Sequence, residues 1–271
     1  MKYIKLFESF KEEDIHTICK KYGIYKYIIN SDGSINTDGD VYLFNEKLNK
    51  LPPLKFRNIG GSFWCDSNRL TSLEGCPESV SGGFWCDSNR LTSLEGCPES
   101  VSGGFCCYNN QLTSLKGSPK SIGGDFYCYL NRLVSLKGCP ESIGKCFSCC
   151  DNKLTSLEGC PKLINDDFYC RNNKLTSLKG GPESVGGDFY CNSNKIATFE
   201  YLPFLIGGDF YCFGNPIYEI WDLFQDYSKI EFLNDCDAIR EPNIIILDRL
   251  NFFLEEIGKP TVTKVKGYNC I

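Results

Sequence analysis

Histidine, methionine and long apolar runs are nearly absent from this sequence of 271 residues. The chain holds one histidine, His16, and one methionine. Zinc sites built on several histidines and most histidine-based acid–base pairs are therefore excluded. The longest aliphatic run covers residues 244–247, which is far too short to cross a bilayer, so no membrane span is expected.

An excess of positive charge is also missing. Lys and Arg number 29 against 34 Asp and Glu, which gives a net charge of −5. Nucleic acid is therefore disfavoured as a partner, because binding to phosphates depends on Lys and Arg. The first residues lack the apolar core of a secretion signal, so we expect a cytoplasmic protein. A hydrophobic content of 42% predicts a folded chain.

Cysteine and phenylalanine are abundant, and most of them belong to an internal repeat. Phe recurs every 21 residues from Phe63 to Phe210, always with Cys two residues later and Asn five residues later. The unit reads F-x-C-x-x-N-x-L-T-S-L-x-G-x-P-x-S-[VI]-x-x-x, and residues 63–83 are identical to residues 84–104. Eight such units predict a solenoid.

The repeat resembles the leucine-rich repeat family in its L-x-x-L-x-L-x-x-N-x-L stretch, with Phe, Cys and Asn at the fourth, sixth and ninth positions. Its L-T-S-L-x-G-x-P half is similar to the short repeats of secreted bacterial effectors, and the whole arrangement is similar to leucine-rich proteins of large tailed phages. The resemblance covers roughly residues 41–220 and implies a role inside a bacterial or phage-infected cell. Gly75 and its equivalents replace a Pro of the effectors, and no ligase-sized domain follows, so ubiquitin transfer is not implied.

The predicted fold class is a leucine-rich repeat solenoid, a parallel β-sheet horseshoe with a right-handed coil and helical caps at both ends. In F-x-C, the alternation buries Phe and Cys on one face of a short strand. The Asn side chains are expected to bond backbone groups that the turns leave unpaired. The predicted divisions are residues 1–40, an N-terminal helical and hairpin cap; 41–62, a degenerate capping repeat; 63–220, the repeats; and 221–271, a C-terminal helical cap.

The predicted caps rest on local signals. Ser9 and Glu12 can form a capping box, which with Gly23 predicts a helix over roughly 10–22. Helical spacing of apolar residues returns after residue 217 and again over residues 247–257, and the alternation over 261–266 predicts a strand. Residues 32–40 resemble a calcium loop in composition, but two Asp-Gly turns are the preferred interpretation.

The cysteine column has several interpretations. Core filling by free thiols in a reducing compartment is preferred, and disulfides, metal binding and reactive thiols are the alternatives. Cys106, Cys146 and Cys150 are the candidates for reactive thiols because we expect them to be exposed. A metal site at Cys146, Cys149 and Cys150 is disfavoured because Cys149 should face inward and the other two outward. His16 and Cys19 could form a dyad, yet no supporting group is evident, and no enzyme activity, cofactor or metal is expected.

The outward side of the predicted sheet carries aromatic and acidic columns. Directly after each Phe stand Trp64, Trp85, Cys106, Tyr127, Ser148, Tyr169, Tyr190 and Tyr211. Directly before the Phe, four units carry Asp125, Asp167, Asp188 and Asp209. Three residues after each Phe stand Asp66, Asp87, Tyr108, Tyr129, Cys150, Arg171, Asn192 and Phe213.

We expect these columns to form a concave surface for recognition of a protein partner, with Arg and Lys six residues after most Phe positions supplying a basic edge. The competing interpretation is that the rings stabilise the sheet by cross-strand packing. A glycan-binding protein, a structural protein of a virion or cell surface, and a thiol-based redox or metal sensor are the alternative functions.

Overall fold

The computed structural model describes residues 12–240 and 243–271, with residues 12 and 13 described by their backbone alone. The chain divides into two compact units. The first contains the described residues up to Leu133 together with Lys137–Ser148, and the second contains Val134–Leu136 and Cys149–Ile271.

The first unit is built on two parallel ladders, and each complete coil gives one short strand to each ladder. One ladder, called the Phe ladder, consists of Val41–Tyr42, Phe63–Trp64, Phe84–Trp85, Phe105–Cys106, Phe126–Tyr127 and Phe147–Ser148. The second ladder consists of Phe56–Ile59, Ser79–Val80, Ser100–Val101, Ser121–Ile122 and Ser142–Ile143. It begins with an antiparallel hairpin of Tyr27–Ile29 and Ile35–Thr37.

The second unit repeats the same design. Its Phe ladder contains Phe168–Tyr169, Phe189–Tyr190 and Phe210–Tyr211. Its second ladder contains Leu163–Ile164, Ser184–Val185 and Leu205–Ile206. Within each unit, the strands from Phe63 onward pair with the residue 21 positions away, as in Phe84 with Phe105 and Phe189 with Phe210, whereas Val41 pairs with Phe63 at a separation of 22. The leucine-rich repeat fold predicted from the sequence is confirmed.

The second ladder was not predicted from the sequence. Its strands are two residues long, and only the Val or Ile of each S-[VI] pair is buried, as Val80 is. A two-residue strand is too short to show an alternation of apolar and polar residues in the sequence. The repeat therefore indicated only a buried apolar residue at the Val or Ile position. The core between the ladders contains the Phe, Cys and Leu columns, and the rings of Phe63 and Phe84 stack with centroids 5.6 Å apart.

The Asn column joins successive coils, as predicted. Asn89 donates through Nδ2 to the carbonyl of Cys65 in the preceding coil at 3.0 Å and to the carbonyl of Cys86 in its own coil at 3.2 Å. Its Oδ1 accepts the backbone N–H of Leu70 at 2.9 Å. The buried amide therefore satisfies backbone groups that the turn leaves without a ladder partner.

The corner before each Phe strand requires close approach of two backbones. A Cβ added to Gly82 would lie 2.7 Å from the carbonyl carbon of Gly61. The turn after the strand places one residue per coil in the left-handed region, with φ of 53° at both Ser88 and Leu130. Glycine suits the same position in the last coil, where Gly214 has φ of 71°.

The described helices lie before and after the repeats, near the two ends of the chain. The N-terminal helix spans Glu12–Lys21, within the predicted range, and Ser9 of the proposed capping box lies outside the described residues. The C-terminal region contains helices Tyr218–Phe224, Ile230–Asp235 and Leu247–Glu256, with a 3-10 turn at Tyr227–Lys229. None of the described helices is long and apolar enough to cross a membrane.

The strand predicted over residues 261–266 is wrong. The C-terminal sheet is formed by Ile239–Arg240, Ile244–Ile245 and Asn269–Cys270. The alternating segment is held instead by a side chain, because Asn251 accepts from the N–H of Val262 at 2.8 Å and donates to its carbonyl at 3.0 Å. This amide of the last helix supplies the bonds that a neighbouring strand would otherwise provide.

Candidate recognition surface

The outward face of the Phe ladder in the first unit carries a stack of aromatic rings. Trp64 and Trp85 occupy paired positions on adjacent strands, and their rings stack with centroids 4.0 Å apart and planes 8° apart. The ring of Tyr42 continues the stack, 6.4 Å from Trp64. Trp85 folds back over Gly83, where an added Cβ would overlap the indole ring. The missing side chain at Gly83 therefore makes room for the tryptophan.

A second outward column in the same unit combines two rings with two carboxylates. Tyr108 and Tyr129 stack with centroids 4.5 Å apart, and Asp66 and Asp87 occupy the same column on the two preceding coils. Asp66 accepts from the Ser67 hydroxyl at 3.0 Å through Oδ2, whereas its Oδ1 is buried without a hydrogen-bond partner. The indole N–H of Trp64 is likewise buried without a partner.

Asp87 is the most buried carboxylate of the surface, with 4% of its surface exposed. Burial raises the pKa of Asp87, the negative charge of Asp66 raises it further, and hydrogen bonds from Tyr108 and Ser88 oppose this shift. Two like charges are thus held close together in a partly dehydrated environment.

The aromatic column of the second unit is organised by hydrogen bonds. Tyr169, Tyr190 and Tyr211 stack with successive centroid separations of 4.6 and 4.4 Å. Each hydroxyl donates to the aspartate two residues earlier, at 2.6, 2.8 and 3.0 Å for Asp167, Asp188 and Asp209. The hydrogen bond to Asp188, together with burial, raises the pKa of Tyr190.

The same aspartates also join coils. Asp167 Oδ1 accepts the backbone N–H of Asp188 at 2.8 Å, and Asp188 Oδ1 accepts that of Asp209 at 2.7 Å. In the first unit, Asp125 Oδ1 accepts the N–H of Cys146 at 3.1 Å. Sequence reasoning missed this structural role, although the recurring Asp-Phe-Tyr triplet was its signal.

The predicted exposure of Cys106 and Cys150 is wrong, because 6% and 3% of their surfaces are accessible. Cys106 is short and stands between the larger residues Trp85 and Tyr127 on the adjacent strands, and Cys150 stands beside Arg171 of the next coil. Burial is the main cause that raises the pKa of Cys106 to about 12. Cys146 is half-buried, and none of the eighteen cysteines, all of which lie in described residues, forms a disulfide.

The remaining outward positions differ in exposure. Arg171 is exposed, whereas Ser148 is buried and Asn192 is buried with an Oδ1 that has no partner. Phe213 is half exposed. The outward columns therefore contain both rings accessible at their edges and polar groups largely covered by neighbours.

Two further candidates from the sequence have structural explanations. In the calcium-like segment, Asp32 accepts from Ser34 and, at 2.6 Å, from Lys55, and Gly33 has φ of 75°, as a tight turn requires. His16 bonds the Tyr27 hydroxyl through Nδ1. Cys19 is fully buried and burial raises its pKa, which makes it a poor nucleophile.

No protein-family model matches the chain, and no curated protein matches it in sequence. Solved structures similar to part of it include two structures of YopM. YopM, a leucine-rich effector protein from Yersinia pestis, is 19% identical over 66% of this chain and 67% of that chain, with a TM-score of 0.43. YopM from Yersinia enterocolitica is 14% identical over 65% of this chain and 56% of that chain, with a TM-score of 0.34. Sequence identities and TM-scores this low give no basis for assigning a function of YopM to this chain.

Proposed function

We propose that the chain is a non-catalytic scaffold that recognises a protein partner through the outward face of the Phe ladder. The observation that carries this proposal is the pre-ordered set of partly exposed rings, fixed by stacking and by hydrogen bonds before any partner arrives. Rigid aromatic side chains lose little conformational entropy on binding and contribute large contact areas. Such residues are typical anchors of protein interfaces.

The ring geometry favours a protein over a glycan. Sugars stack on the exposed flat face of an aromatic ring, but Trp64 covers one face of Trp85 at 4.0 Å and itself lies between Trp85 and Tyr42. The faces of Tyr190 are covered in the same way by Tyr169 and Tyr211. These stacks offer mainly ring edges, which suit packing against mixed apolar and polar protein side chains.

The thiols favour a binding scaffold over a redox sensor. A reactive thiol needs access to solvent and a lowered pKa. Burial instead raises the pKa of Cys97 and of Cys106 to about 12, and the Cys column lies inside the coils. These cysteines behave as small apolar core residues.

The proposal is tested by partner capture from a bacterial lysate with the wild-type chain and with the double variant Trp85→Ala, Tyr127→Ala. We expect the wild type to capture a defined protein, identified by mass spectrometry, and the double variant to lose it. Removing the Trp64 and Trp85 ring pair costs about 0.5–1.5 kcal/mol of stability in addition to lost burial. Binding should therefore fall far more than the folded fraction at the assay temperature.

A control variant removes charge beside the second ladder, from two successive coils. Glu78 and Glu99 are exposed there, so Glu78→Gln with Glu99→Gln should leave capture unchanged. Equal capture by the Trp85/Tyr127 variant and the wild type would reject the proposed surface. Loss of capture in proportion to unfolding would show that the rings are purely structural.

A further inference from the structure

The last strand of the Phe ladder leaves backbone groups without partners. In the coil before it, the N–H of Phe189 donates to the carbonyl of Asp209 in the last coil at 2.8 Å. The corresponding N–H groups of the last coil, those of Phe210 and Cys212, have no hydrogen-bond partner among the described residues. Asp209 Oδ2 accepts from the Tyr211 hydroxyl, and its Oδ1 is likewise unbonded within the described part of the chain. This edge can therefore receive one more strand.

The first strand of the Phe ladder has an open edge of the opposite kind. Val41–Tyr42 pairs with Phe63–Trp64 on one side, and no described strand pairs with it on the other. The N–H groups of Val41 and Leu43 donate to the next coil at 2.9 and 2.7 Å. Successive residues of a strand direct their backbone groups to opposite sides. The N–H and carbonyl of Tyr42 and the N–H of Asp40 accordingly face away from the ladder and have no partner among the described residues.

The two edges match in sequence and in register. Residues 40–44 and 209–213 both read Asp-x-Tyr-x-Phe, so the two edges present the same columns in the same order. Residues 40–44 of a second copy can therefore take the place of a coil that follows residues 209–213. The Phe210 N–H would then donate to the carbonyl of Asp40 in that copy, and the Phe210 carbonyl would accept from the N–H of Tyr42.

The side chains of the two edges would continue contacts that already join coils within the chain. Asp188 Oδ1 accepts the N–H of Asp209 at 2.7 Å, and Asp209 Oδ1 is placed to accept in the same way from Asp40 of the second copy. The ring of Tyr211 already stacks on one side at 4.4 Å, and its other side would receive the ring of Tyr42. The added coil thus repeats the hydrogen bonds and the ring stack of the second unit.

Exposed apolar side chains concentrate at these two edges. Thirteen large apolar residues in the described part of the chain are exposed, and eight of them lie on or beside the first or last strands of the two ladders. Phe213 is 50% exposed, whereas Asn192 at the same position of the preceding coil is 5% exposed. Burial of such surface favours association. The eight residues are Tyr25, Ile28, Tyr42 and Phe44 at the first strands, and Tyr201, Phe204, Leu205 and Phe213 at the last strands.

We propose that the chain associates head to tail, with Phe210–Tyr211 of one copy pairing in parallel with Val41–Tyr42 of the next. A second copy is favoured over another protein because it supplies the matching Asp-x-Tyr-x-Phe segment in the register that already joins successive coils. The core is covered at both ends, since Leu43 and Cys212 are buried, whereas the side chain of Tyr42 is 53% exposed. The two surfaces of this contact differ, so the contact can repeat and extend beyond a dimer.

Sedimentation velocity of the full chain over about a hundredfold range of concentration tests this contact. We expect the wild type to grow with concentration from the 30.6 kDa monomer to dimers and larger species. Tyr42→Pro blocks the first edge by removing an N–H, at a position where an edge strand tolerates proline. Asp209→Ala with Phe213→Glu blocks the last edge by removing an acceptor and adding a charge. Each of these variants alone should stay monomeric.

A mixture of the two variants tests the direction of the contact. The Tyr42→Pro chain keeps its last edge, and the Asp209→Ala, Phe213→Glu chain keeps its first edge. An equimolar mixture should therefore form a dimer and no larger species. Leu163→Glu is the matched control, because it adds the same charge at an exposed apolar position of a coil between the two ends, and it should associate like the wild type. Circular dichroism and urea unfolding establish that each variant is folded at the assay temperature.

Three results would overturn the inference. A wild type that stays monomeric would leave the edges to a strand of another protein or to none. Association of either edge variant alone at the wild-type level, or a mixture that stays monomeric, would show that the copies do not join through these strands. The inference does not rest on the proposed function, which concerns the outward face of the Phe ladder. The Trp85→Ala, Tyr127→Ala variant should self-associate like the wild type, so the two proposals fail separately.

Discussion

Replacing Asn131 by Ala should destabilise the solenoid by about 1–3 kcal/mol. Asn131 Oδ1 accepts the buried N–H of Leu112 at 3.0 Å, and Nδ2 donates to the carbonyls of Cys107 and Cys128 at 3.0 and 3.1 Å. The Cys107 carbonyl keeps a bond from Asn110 at 3.2 Å, so its loss is partial. Among the described residues, Asn131 Oδ1 is the acceptor of the Leu112 N–H, so its loss orphans a buried donor, and this accounts for most of the cost.

Urea unfolding followed by circular dichroism measures this change, with Arg132→Ala as the neighbouring control because Arg132 is exposed. The control should change the free energy of unfolding by less than about 0.5 kcal/mol. Hydrogen exchange adds a local readout, since the amide of Leu112 should exchange faster in Asn131→Ala than in the wild type. A loss no larger than that of Arg132→Ala, with unchanged exchange at Leu112, would refute the role of the Asn column.

Two further substitutions have predicted signs. Leu130 has φ of 53° with its side chain 49% exposed, so Leu130→Gly should stabilise the chain by about 0.5–1 kcal/mol. Leu130→Ala is the matched control, because it removes the same side chain without relieving the backbone, and an equal gain from both would contradict the reasoning. Asp87 has a folded-state pKa above its unfolded value, so the native state binds its proton more tightly and stability falls as pH rises through the folded pKa. Asp87→Asn should therefore be more stable than the wild type at pH 7, with the difference vanishing below about pH 4, and urea unfolding at both pH values would detect the opposite trend.

The repeat made the main architecture predictable from the sequence. A period of 21 residues fixes which positions pair, so the buried Phe, Cys and Leu columns and the role of Asn89 and its equivalents followed from spacing alone. The helix Leu247–Glu256 was predictable for a similar reason, because its apolar residues recur with helical spacing.

Features that depend on contacts between side chains were not predictable. Alternation placed Cys106 on the outward side, but its burial depends on the size of the residues paired with it on the adjacent strands. The strand expected over residues 261–266 does not form, because the side-chain amide of Asn251 is hydrogen-bonded to both the N–H and the carbonyl of Val262. The aspartates of the second unit looked like surface charges, whereas Asp167 and Asp188 bond both a tyrosine and the next coil.

Hydroxyl-radical footprinting of the captured complex tests the central claim most directly. Trp64, Trp85 and Tyr127 lie on the outward face of the Phe ladder, whereas Phe204 and Phe252 are exposed elsewhere, at 77% and 53%. If the outward face of the Phe ladder binds the partner, oxidation of Trp64, Trp85 and Tyr127 should fall in the complex while that of Phe204 and Phe252 stays unchanged. Protection of Phe204 or Phe252 with unaltered oxidation of the two tryptophans would place the partner elsewhere and contradict the proposed function.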